Sequence, residues 1–103
     1  KQITRALRAL GYSARPGRGD HTKLLCEVPC ADEQPFRFSF PVDRGAIPPG
    51  TFAAILDQAG GLTEEQLCGA LDGAFTAEDY RGFIASKSRA ELLRITRGRR
   101  FQG

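Results

Sequence analysis

The chain holds a single histidine and three cysteines, and none of its apolar runs approaches the roughly 20 residues of a membrane span. That last absence argues against a membrane protein. No charged-then-apolar leader opens the sequence, so a cytoplasmic protein is expected. Cys26, Cys30 and Cys68 are odd in number, and zinc would want four ligands at a recognisable spacing that His21 is not placed to complete. They are expected to be reduced core or strand thiols. Gly17 and Gly19 do not form a nucleotide-binding loop, because no Lys-Ser or Lys-Thr ending follows and no long strand precedes them. Neither a metal nor a cofactor is expected.

What is present is enough for one small domain. At 103 residues, 41% apolar and 26% charged, the chain can bury about two-thirds of its unfolded surface without staples. The net charge of +3 is modest, but its distribution is uneven. Lys1, Arg5, Arg8, Arg15, Arg18 and Lys23 stand against Asp20 alone in the opening segment. From Arg81 onward, basic residues are opposed only by Glu91, and the middle of the chain is acidic. Basic ends suit a polyanion partner, since clustered lysine and arginine release counterions from phosphates. A mixed surface that merely keeps the protein soluble has the same composition.

Periodicity gives the architecture. Ile3, Ala6, Leu7 and Leu10 repeat at helical spacing, and Gly11 supplies a left-handed stop. A short strand over 12–15 and the turn from Pro16 to Gly19 follow. From His21 to Val28 the chain alternates, with Leu24, Cys26 and Val28 on one side and His21, Lys23, Leu25 and Glu27 on the other. Phe36, Phe38 and Phe40 alternate with Arg37 and Ser39 in a further strand that Pro41 is expected to close. The phenylalanines belong to the core, which leaves His21, Lys23, Arg37 and Ser39 sharing the opposite, open face. Pro48-Pro49-Gly50-Thr51 opens a helix bearing Phe52, Ile55, Leu56 and Ala59, ended by Gly60-Gly61. Thr63 to Gln66 is a capping box leading to Leu67 and Leu71, with Gly73 as the stop. Thr76 and Ser88 begin two more capping patterns whose Phe83, Ile84, Leu92, Leu93 and Ile95 are too apolar for a disordered tail. One or two helices docked on the domain or on a partner are therefore expected, with residues 97–103 loose. The expected fold is α+β: a small antiparallel three-stranded sheet with helices on one face, spanning residues 1–73, and a C-terminal helical extension over 74–103.

His21 carries the chemical interest. Imidazole is the side chain that both takes and gives protons near neutral pH. Here it lies in Gly17-Arg18-Gly19-Asp20-His21-Thr22-Lys23, where a glycine-rich turn enters a strand between two cations. An acid–base residue beside a phosphate fits this setting, and so does an ordinary surface histidine. Asp20 either orients the imidazole or caps the turn. RNA brings its own nucleophile, the 2′-hydroxyl, so cleaving it takes a base, charge stabilisation and help for the leaving oxygen. His21 is the candidate base or acid, and Lys23 and Arg37 are candidates for the phosphate charge. One histidine cannot occupy both protonation states, which leaves Lys23, Tyr12 or water as the second proton carrier.

Two segments in this order resemble the HicA family of mRNA-interferase toxins: Gly19-Asp20-His21-Thr22-Lys23, and Ile47-Pro48-Pro49-Gly50-Thr51 through Ile55-Leu56-Asp57-Gln58-Ala59-Gly60. The resemblance covers residues 3–67. It implies a fold like a double-stranded-RNA-binding domain and a ribonuclease that is the toxin of a type II toxin–antitoxin system. It also implies His21 as the catalytic residue; beside it Arg18, Gly19, Lys23 and Arg37 are the residues expected at the RNA. The implied partners are an mRNA substrate and a HicB-like antitoxin, held with the toxin in a hetero-oligomeric complex. The chain departs from the family pattern in placing Asp20, rather than serine followed by histidine or asparagine, before His21. The extension also has no counterpart in the resemblance. The alternative reading is a non-catalytic RNA- or protein-binding module of the same fold.

Overall fold

Alternating apolar side chains give this protein its sheet, and helical repeats cover one side of it. A computed structural model describes residues 2–17, 19, 21–32, 34–43 and 47–97. In order, the described elements are α1 (Gln2–Ala9), β1 (Ser13–Pro16), β2 (His21–Pro29), β3 (Pro35–Asp43), α2 (Pro49–Gln58), α3 (Glu64–Asp72), α4 (Ala77–Ala85) and α5 (Arg89–Thr96). The strands pair antiparallel in the order β1-β2-β3, an open sheet in an α+β fold. Leu24 stands opposite Phe40, Cys26 opposite Phe38 and Val28 opposite Phe36. These pairs face the core, where all but the half-buried Cys26 are buried. On the other face Arg15, His21, Lys23, Arg37 and Ser39 are exposed, as alternation requires.

Pro41 does not close β3. The strand continues through buried Val42 to Asp43. Two physical reasons account for this. Because β3 is an edge strand, a residue without an N–H is tolerated there. Val42 also keeps the apolar phase of Phe36, Phe38 and Phe40, so burial favours two more residues of pairing.

The helices follow their end signals. Gly11 takes φ 111° after α1, and Pro49 occupies the first turn of α2. Thr63 and Gln66 form a reciprocal capping box on α3, and Gly73 closes that helix in the left-handed region at φ 87°. Thr76 and Asp79 repeat the box on α4, and the Ser88 hydroxyl accepts from the Glu91 N–H on α5. Leu67 is buried, but Leu71, expected on the same face, is 40% exposed.

Both C-terminal helices dock on the rest of the molecule. Tyr80, Ile84 and Leu92 are fully buried in one cluster with Leu7, Leu24 and Phe38. The Tyr80 hydroxyl donates to the Ala59 carbonyl at 2.6 Å, which leaves it to accept from the Tyr12 hydroxyl at 2.7 Å. The β2–β3 connection is tied to the same helices: Asp32 accepts from the Arg89 N–H at 3.0 Å, and the Ala31 N–H donates to the Lys87 carbonyl at 2.8 Å. Of the tail expected to be loose, Arg97 caps α5, and residues 98–103 lie outside the described part. No helix among the described residues is long and apolar enough to cross a membrane.

The cysteines divide differently from the expectation. Cys26 is half-buried on β2 and Cys30 is buried, but Cys68 is exposed on α3. Leu67 and Ala70 set the buried face of that helix, and the roughly 100° turn per residue carries Cys68 off it. All three are free thiols.

Candidate active site

A tight turn fixes the start of β2. The last β1–β2 pair is Pro16 with Thr22, and beyond it the Gly17 N–H donates to the His21 carbonyl at 3.0 Å. A side chain at Gly17 would meet that carbonyl oxygen at 3.1 Å, and Gly19 takes φ 58°, so both glycines serve the tightness of the turn. His21 is thereby anchored through its backbone at the mouth of the hairpin. Alternation then aims its side chain to the open face.

The β2–β3 register places Asp43 directly opposite His21. The side chains meet, with His21 Nδ1 2.7 Å from Asp43 Oδ1. An ionised carboxylate can only accept, so a hydrogen bond across this distance takes its proton from Nδ1. Both side chains are roughly half exposed, at 47% and 44%, so the pair lies at the surface and is accessible to a large substrate.

An open cleft of about 410 Å³ adjoins the pair, lined by Gly17, His21, Lys23, Ser39, Phe40 and Pro41. Lys23 therefore shares the cleft with His21. Arg15 stands opposite Lys23 on β1, which adds a second exposed cation on the same side of the sheet. Arg37 is on the same face but elsewhere. It pairs with Glu27, six residues along β2 from His21, or about 20 Å at 3.3 Å per residue. The structure thus brings Lys23 and His21 together and leaves Arg37 apart. Arg18 and Asp20 lie outside the described residues.

Tyr12 is not a proton carrier for this site. It is buried on the opposite face, bonded to Tyr80. Burial pushes its phenol well above the ordinary range, and Tyr80 adds to the shift. Cys26 also points to the core side, and burial raises its thiol to about 11 against a smaller opposing effect of Arg81. It is no nucleophile for the cleft. Among the described residues, no three His, Cys, Asp or Glu side chains are placed to hold a metal ion.

Asp43 is the site residue that sequence reasoning missed. The signal was present: once Phe36, Phe38 and Phe40 face Val28, Cys26 and Leu24, the same register carried three pairs further sets Asp43 against His21. Reading Pro41 as the end of the strand concealed it. Comparison with family models, characterised proteins and solved structures finds no match to this chain.

Proposed function

We propose that this protein is an RNA endonuclease of the HicA type, the toxin of a toxin–antitoxin pair, with His21 as its catalytic residue. The observation that carries the proposal is the placing of the sole histidine, its Nδ1 against Asp43, in an open cleft with Lys23 on an exposed sheet face. The resemblance of the Gly19-to-Lys23 turn and the Pro48-to-Gly60 helix to that family supports the same assignment.

The chemistry runs as follows. Nε2 of His21 takes the proton of an RNA 2′-hydroxyl, whose oxygen attacks the adjacent phosphorus. The bond from phosphorus to the 5′-oxygen then breaks, leaving a 2′,3′-cyclic phosphate and a 5′-hydroxyl. Lys23 stabilises the charge that develops on the phosphate oxygens. The departing oxygen takes its proton from Lys23 or water. Acid–base catalysis by a positioned histidine contributes about 10² to 10⁴ in rate. Arg15, across from Lys23, and Arg37, further along the sheet, hold neighbouring phosphates. A neutralising antitoxin of HicB type covers this face, and its acidic residues meet Lys23 and Arg37; Arg18, given the same role from the sequence, lies outside the described residues.

Expression in a bacterial host tests the reading at low cost. Wild-type protein arrests growth and shortens cellular mRNA, while His21→Ala does neither at equal soluble yield. Full growth arrest by His21→Ala overturns the mechanism. Harmless expression of soluble wild-type protein favours the non-catalytic binding module instead.

A further inference from the structure

We infer that Asp43 is the positioning residue for His21, holding the imidazole as the Nδ1–H form so that Nε2 is the basic nitrogen presented to the substrate. The inference rests on the reading of His21 as the proton-exchanging group and adds the residue that prepares it. Three observations carry it. The Nδ1–Oδ1 separation of 2.7 Å is a charge-assisted hydrogen bond. Both partners sit on paired strands in direct register, so their approach is set by the sheet and not by a flexible loop. The backbone of His21 is held from the other side by the Gly17 N–H, which leaves the ring with little freedom except rotation about its own bonds.

The consequence is chemical. Free neutral imidazole in water favours the proton on Nε2, which would make Nδ1 the base and would direct it across the sheet toward Asp43. A carboxylate at Nδ1 reverses that preference. It also stabilises the imidazolium formed after proton abstraction, through the opposite charge beside it. Because the pair is half exposed, water competes for the carboxylate, and the effect is smaller than for a buried triad. Loss of the carboxylate is therefore expected to lower kcat by about 10- to 100-fold, a part of the 10² to 10⁴ ascribed to positioned acid–base catalysis as a whole. KM stays near its wild-type value, since Asp43 does not face an RNA phosphate favourably.

The single histidine makes the test direct. A long-range ¹H–¹⁵N correlation spectrum of the full chain, recorded where the imidazole is neutral, reports one tautomer equilibrium without assignment. Wild-type protein shows mainly Nδ1–H, and Asp43→Ala shifts the population to mainly Nε2–H with an unchanged thermal midpoint. Asp43→Asn provides a second, isosteric variant should alanine perturb the strand end. Cleavage of a defined RNA by the same samples shows the kcat loss in both variants. A wild-type spectrum dominated by Nε2–H, or one that Asp43→Ala and Asp43→Asn leave unchanged, overturns the inference. Tautomer reversal without a change in kcat also overturns it, because Asp43 then orients the ring to no catalytic effect. If wild-type protein cleaves no RNA yet holds the Nδ1–H form through Asp43, the ribonuclease reading fails while the predicted orientation stands.

Discussion

Removing one oxygen from Tyr80 is expected to be far more damaging than removing one from Tyr12, although the two hydroxyls touch. The Tyr80 hydroxyl has one proton, which it donates to the Ala59 carbonyl at 2.6 Å, and it accepts the Tyr12 proton at 2.7 Å. Tyr80→Phe therefore deletes two hydrogen bonds and strands two buried partners, the Tyr12 O–H and the Ala59 carbonyl. A hydrogen bond lost contributes about 0.5–1.5 kcal/mol, and a buried group left unsatisfied costs about 1–3 kcal/mol. With partial relaxation the total is about 2–4 kcal/mol. Tyr12→Phe removes only the outer bond and leaves Tyr80 still donating to Ala59, at about 1 kcal/mol. The double variant has no stranded Tyr12 donor, so it falls short of the sum of the singles by roughly 1 kcal/mol. Urea unfolding followed by circular dichroism measures all three, and equal m values are expected because the buried surface is unchanged. Equal costs for the two single variants, or costs under about 0.5 kcal/mol for both, would refute the claim that α4 is fastened to α2 and the sheet through this chain of hydroxyls.

Gly60 takes φ 103°, and a Cβ there would lie 2.7 Å from Ile84 Cδ1, so Gly60→Ala is expected to cost about 2–3 kcal/mol in the same unfolding assay. Alkaline pH should destabilise the protein through its buried acids. The Cys26 thiol is raised from 9.0 to about 11 on folding, so the unfolded chain loses this proton first. The stability it contributes is whole below about pH 9 and is lost as pH climbs toward 11; Tyr12 and Tyr80, both raised from 10.0, extend the loss further. Thermal midpoints across pH 8 to 11 check this, with Cys26→Ala flattening the early part of the decline. Lys23→Ala is expected to lower kcat for RNA cleavage. Arg37→Ala, about 20 Å along the sheet, should instead raise KM and reduce the salt slope of RNA binding by about one.

Much of the fold was legible because each element repeats its own signal. Three phenylalanines at period two, and Leu24, Cys26 and Val28 at the same period, determine a sheet face and its register. Thr63, Thr76 and Ser88 mark helix starts that the side-chain bonds reproduce. The docking of α4 and α5 could be anticipated from Phe83, Ile84 and Leu92, but not its means, because a hydroxyl chain from Tyr12 through Tyr80 to Ala59 joins residues distant in sequence. Of the candidate site, His21 and Lys23 were visible as a turn motif and its neighbour. Asp43 was hidden by a local rule, since proline closes most strands but not an edge strand whose apolar phase continues. Arg37 shares a face with His21 by parity, and only the length of the pairing reveals how far along that face it stands.

The central claim is best tested by incubating the purified full chain with a radiolabelled single-stranded RNA and resolving the products. Wild-type protein is expected to yield fragments ending in a 2′,3′-cyclic phosphate. His21→Ala, with an unchanged thermal midpoint, should leave the RNA intact. Cleavage by His21→Ala at the wild-type rate, or intact RNA with folded wild-type protein, would contradict the account.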